Sequence, residues 1–196
     1  MKKMRFIPIL GGMVAAMGVI AAVALTPYMP TQASLAPEET ALLAEWTRVG
    51  DALAVRRMIE QGACVEAVSA DGTTALMTAA AEGHLEVSKV LLMHNAQVNA
   101  RNEEGETAMH FAVRNNQAAI MALLLENGAE VDARTTSGIT PLMMASWSGF
   151  EQLVKLLLAA GADADALDEE GLNAAAHARE VRDETTRETI IQLLGA

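Results

Sequence analysis

The chain has 196 residues, with 14 Lys and Arg against 25 Asp and Glu, a formal net charge of −11. That length is enough for one or two domains and a core that hides about 70% of the unfolded surface, and the lone cysteine, Cys64, excludes an intramolecular disulfide. The acidic balance, with no basic stripe interleaved with aromatics, excludes a nucleic-acid binder; it favours a basic protein partner, or is simply a solvated acidic surface.

The first element in chain order is a leader. Lys2, Lys3 and Arg5 precede an uncharged run from Phe6 to Leu25, followed by Pro27, Pro30 and Pro37. A basic start, an apolar middle and the small-residue stretches "AVA" (22–24) and "TQA" (31–33) predict a secretory signal peptide over 1–33. The same run is long enough to cross a bilayer, so an uncleaved anchor helix with its positive end inside is the alternative. Either reading places the rest outside the cytoplasm, and "MKKMRF" resembles bacterial leaders, which points to a periplasmic, secreted or inner-membrane-anchored protein. Eleven of the 14 basic residues and all 25 acidic ones lie beyond the leader, leaving a balance of −14 there.

From residue 34 onward a period of 33 governs the chain. Gly72, Gly105, Gly138 and Gly171 keep that step, as do Thr74, Thr107 and Thr140, with Asn173 in the fourth place. Gly62, Asn95, Gly128 and Gly161 form a second series, each followed by alanine. Every copy reads as two short helices and a polar turn. The threonines cap the first helix, Pro141 suits its first turn, and the helix ends at Gly83, Asn116 or Gly149. The second helix carries "VLL" (90–92), "LLL" (123–125) or "LLL" (156–158) and stops at Asn95, Gly128 or Gly161, residue types that tolerate the left-handed conformation of a helix end. Hairpin-like tips follow at "DGT", "EGE" and "SGI". Each helix pair is too small to bury its own apolar face and must stack on its neighbours.

"TALMTA", "TAMHFA" and "TPLMMA" resemble the T-P-L-H-x-A signature of the ankyrin repeat family. The resemblance implies an all-α ankyrin solenoid of helix-turn-helix units joined by β-hairpin-like loops. An N-terminal cap repeat (38–70), three internal repeats (71–103, 104–136, 137–169) and a C-terminal cap repeat (170–196) divide the domain 34–196. The signature histidine survives only as His110; Met77 and Met143 replace it, which predicts two turns held more by packing than the third. The terminal copies are irregular. Trp46 stands where inner copies have Ala79, Ala112 and Ala145, and Ile190, Ile191, Leu193 and Leu194 are expected to seal the C-terminal end.

No catalytic constellation emerges. His84, His94, His110 and His177 fall in different repeats or roles, and Asp163 with Asp165 lacks the sixth-position glycine and twelfth-position glutamate of a calcium loop. The seven methionines beyond the leader fill a core or absorb oxidants. No enzyme activity, metal or cofactor is expected; a small metal-dependent or thiol enzyme is the least favoured reading.

Ankyrin proteins bind partners along the surface bearing the hairpin tips, so the resemblance implies that Ala81, Arg114 and Trp147, one repeat apart, form a recognition row flanked by Glu82, Asn115 and Ser148. The tips add Asp71, Thr73, Glu104, Glu106 and Ile139. Trp147 with Ile139 is the expected anchor, rimmed by Arg114, Arg134, Glu104 and Glu106, with Arg114 over the indole; alternatively Trp147 folds onto Phe150 and covers the core. The expected function is a monomeric, non-enzymatic protein-binding module in the bacterial envelope. The resemblance extends to envelope-stress or oxidative-defence accessories and to immunity proteins that neutralise a secreted toxin; a membrane-tethered scaffold is the further reading if Phe6 to Leu25 stays attached.

Overall fold

Left-handed backbone recurs through the chain with the period of the sequence. In a computed structural model, which describes residues 37–195, Gly62, Asn95, Gly128 and Gly161 have φ of 105°, 63°, 84° and 89°, and Gly50, Gly83, Asn116 and Gly149 have φ of 83°, 80°, 55° and 75°. Each of these positions ends a helix by turning the chain where most side chains would clash. The leader expected over 1–33 lies outside the described residues.

The described helices are α1 (Pro37–Val49), α2 (Ala52–Glu60), α3 (Ala75–Glu82), α4 (Leu85–Met93), α5 (Ala108–Arg114), α6 (Ala118–Glu126), α7 (Pro141–Trp147), α8 (Glu151–Ala159), α9 (Ala174–Ala178) and α10 (Glu184–Leu193). None is long and apolar enough to cross a membrane. First helices pack in the order α1, α3, α5, α7, α9, and second helices in the order α2, α4, α6, α8, α10. This is two layers of helices, each unit touching only its neighbours, as short amphipathic pairs require.

Residue size explains the close approach of the first helices. Ala79, Ala112 and Ala145 are fully buried at their centres, each bare enough to let the next helix in. Trp46, at the same template position in α1, is partly exposed and packs against the core from one side. Between the layers lie Leu91, Leu124 and Leu157, all with 0% exposure. At the far end α9 shrinks to five residues, and Ile190 of α10 closes the core with Ile191, Leu193 and Leu194 packed around it.

Hairpin tips bond to one another along the stack. In each tip the fourth residue donates back to the first, Gly72 to Ser69, Gly105 to Asn102, Gly138 to Thr135 and Gly171 to Asp168. Glu103 N–H donates to Asp71 C=O at 3.1 Å, Thr136 to Glu104 at 2.9 Å and Glu169 to Ser137 at 3.1 Å, the same bond recurring with the period of the sequence. A Cβ on Gly105 would come within 2.9 Å of Thr136 N, whereas one on Gly171, beyond which no further tip packs, would meet nothing. Arg101 reaches the Arg134 carbonyl at 2.6 Å, and Arg134 in turn reaches the Leu167 carbonyl, so both guanidiniums lace adjacent units. Among the described residues no strand forms; Val68 and Thr74 make one isolated antiparallel bridge.

The turns that lack the signature histidine keep a hydrogen bond at that place, to a different acceptor. Met77 Sδ accepts the Thr74 N–H at 3.4 Å, and Met143 Sδ accepts that of Thr140 at 3.4 Å, in the place where His110 Nδ1 accepts the Thr107 N–H at 3.2 Å. Thioether sulfur is a weak acceptor, but it sits on the same donor. The imidazole does one thing the sulfurs do not: its Nε2 reaches the Ile139 carbonyl of the next tip at 3.2 Å.

Candidate functional site

Tips and first-helix ends enclose an open groove of about 680 Å³ in the C-terminal half of the stack. Glu104, Thr135, Thr136, Ser137 and Glu170 form the tip side. Arg114, Trp147, Ser148 and Glu180 form the side made by helix ends, with Glu106, Ile139, Met143, Met144, Leu172 and His177 between them. The periodicity that builds the fold builds these walls: Trp147 ends α7 as Arg114 ends α5, and Ile139 and Leu172 occupy the tip position that Glu106 fills one unit earlier.

Of the residues expected to form a recognition surface, Glu104, Glu106, Arg114, Ile139, Trp147 and Ser148 line this groove together. Asp71, Thr73, Ala81, Glu82, Asn115 and Arg134 do not. Ala81 presents only a methyl where Trp147 raises a wall, Arg134 is engaged with Leu167, and Asp71 is tied up by Ser69 and by Thr73 Oγ1 at 2.8 Å. Those hydroxyls and the Thr73 N–H hold the exposed Asp71 carboxyl down at about 2.

Trp147 is 58% exposed, so most of the residue stands in solvent. Arg114 does not lie over it. The guanidinium stands 5.3 Å from the centroid of the Phe111 ring and donates to the Glu106 carboxylate, whose side chain is 6% exposed. Asn102 Nδ2 donates to the same carboxylate at 3.3 Å. A buried charge needs such partners, and this pair fixes Arg114 back against its own unit and away from the indole.

His177 and Asp168 close the C-terminal side, 2.7 Å apart. Burial alone would raise the Asp168 carboxyl, but hydrogen bonds from the Leu172 N–H, His177 and the Glu170 N–H outweigh it and hold the group below its usual value. The His177 ring thereby braces the last tip. Glu104, Glu170 and Glu180 make no ion pair among the described residues.

Nothing in this arrangement pairs a nucleophile with a base, and among the described residues no three His, Cys, Asp or Glu are grouped to hold a metal. Asp163 accepts the Asp165 N–H at 2.9 Å and its own N–H bonds Asp132, so these aspartates shape a turn. Cys64 is exposed and unbridged.

Residues 100–168 match the family described as Ankyrin repeats (3 copies), and residues 65–112 match Ankyrin repeats (many copies), together more than half of the chain. The chain belongs to the ankyrin repeat family, a class of protein–protein interaction modules. No curated protein matches this sequence.

Proposed function

We propose that the protein is a non-enzymatic docking module that grips a protein partner through the groove beside Trp147. The observation that carries this reading is the exposure of that indole, a large apolar surface at the mouth of a groove, where burying it would gain far more than in solvent. The module acts outside the cytoplasm of a bacterium, a placement supported by the basic, apolar leader "MKKMRFIPILGGMVAAMGVIAAVAL", whether cleaved or kept as an anchor. The net charge of −11 further supports a basic partner; a secreted basic toxin neutralised by an immunity protein fits that charge.

A photo-crosslinking amino acid placed at Ser148, which lines the groove beside the intact Trp147, tests the reading in the full-length chain in cells. A defined protein crosslinked from position 148, and not from Glu126 at the end of the second helix α6, supports it. Crosslinking that is equal at both positions, or absent from 148, defeats it. Mass spectrometry of the mature N-terminus tests the leader: a start near residue 34 means cleavage, and an intact Met1 or Lys2 in the membrane fraction means an anchor.

A further inference from the structure

The charge around the groove is one-sided, and this narrows the partner, on the footing that the groove is the docking site. Arg114 is already neutralised by Glu106 and stacked on Phe111. The His177 ring nitrogen that faces a charge is committed to Asp168. What remains available at the mouth is the indole of Trp147 and the carboxylates of Glu104, Glu170 and Glu180, without ion-pair partners among the described residues. An anionic ligand would be repelled, and a wholly apolar one would strip water from these carboxylates without replacing it. A cation satisfies both features, since tryptophan is the best ring for a cation to lie on and a guanidinium pairs with carboxylates through two parallel hydrogen bonds.

We propose that the groove takes a partner segment bearing an arginine or lysine beside an apolar residue. The cation lies over Trp147 and is held by Glu104 and Glu170, and the apolar neighbour packs on Ile139, Leu172 and Met144. The segment is basic and crosses from the tips to the helix ends, so that Glu180 meets a second positive charge. The acidity of the rest of the chain draws such a segment in from solution and makes the capture rate sensitive to salt.

The test uses the full chain with Trp46→Phe, which leaves Trp147 as its single fluorophore of that type. The probe is a hexapeptide alternating arginine and leucine, with glutamine–leucine and glutamate–leucine peptides as comparators. The arginine peptide is expected to change Trp147 fluorescence saturably. Its affinity should fall about tenfold when Glu104→Gln and Glu170→Gln are combined, with an unchanged melting temperature. It should fall again as salt is raised from roughly 50 to 300 mM. Equal binding of the glutamine peptide, or affinity indifferent to the two glutamate changes, overturns the proposal. If position 148 crosslinks a native partner while the arginine peptide does not bind, the cation chemistry is wrong and docking stands; if both fail, docking itself is wrong.

Discussion

Arg114 reaches from the end of α5 to the buried carboxylate of Glu106, eight residues earlier in the tip, and so joins the two walls of one unit. The neighbouring units carry no charge at either position, with Ala81 or Trp147 at the helix end and Thr73 or Ile139 at the tip. Removing the arginine alone therefore strands a buried carboxylate. Arg114→Ala is expected to cost about 1 to 2 kcal/mol, reduced from a fully buried pair because the guanidinium is 46% exposed. Glu106→Ile combined with Arg114→Ala should recover most of it; chemical denaturation of the two singles and the double measures the coupling.

Trp147 is expected to contribute little to folding. Trp147→Ala should change stability by no more than about 0.5 kcal/mol, because the indole is mostly in water. Leu142→Ala in the same helix, at 0% exposure, should cost about 3 kcal/mol. Comparable losses for both would mean that the tryptophan belongs to the core.

His110 makes stability depend on pH. Burial, assisted by the charge of Arg101 and opposed by hydrogen bonds to Ile139 and Ala133, pushes its imidazole down to about 4 from the usual 6.5. Between those values the unfolded chain binds a proton that the folded chain refuses, so stability is full above pH 6.5 and is lost as pH falls toward 4, by on the order of 3 kcal/mol. His110→Met, which copies Met77 and Met143, should flatten the urea-denaturation profile across that window. An unaltered slope would show that the ring titrates normally.

Gly105 and Gly171 share a left-handed backbone, φ 75° and 79°, but only the first lies against another tip. Gly171→Ala should cost about 1 kcal/mol from the backbone alone. Gly105→Ala adds the encounter with Thr136 N and should cost at least about 1 kcal/mol more, read as the difference in melting temperature between the two variants.

A buried hydroxyl offers a gain. Ser146 Oγ has no hydrogen-bond partner among the described residues, and the equivalent positions hold Ala80 and Val113, both with 0% exposure. Ser146→Ala should stabilise the fold by roughly 1 kcal/mol, visible as a raised denaturation midpoint with an unchanged slope.

The period of 33 made most of the architecture legible, because glycine and asparagine sit where the backbone turns left-handed and the threonines where helices begin. Gly50 obeys the same step before Gly83 yet lay outside the pattern drawn from the sequence, its unit being irregular elsewhere. The groove was legible in part for the same reason. Glu170, Leu172 and Glu180 occupy the positions of Ser137, Ile139 and Trp147 one step later, and extending the row by a further 33 would have found them. The charged, shortened cap concealed that register. The replacement of histidine by Met77 and Met143 was legible, but not that their sulfurs accept the same threonine N–H, since a methionine in an apolar pattern looks like filler until its acceptor atom is located.

The backbone bonds between tips repeat at three successive junctions, so the main chain of one junction matches the next, with the Thr136 hydroxyl adding a bond to the Glu104 carbonyl at one of them. A whole extra module spliced in after Thr136 would therefore find its joints ready-made. It would carry Trp147 one step farther from Arg114 without disturbing either, which makes the spacing of contact points along this protein adjustable in fixed increments, like rungs added to a ladder.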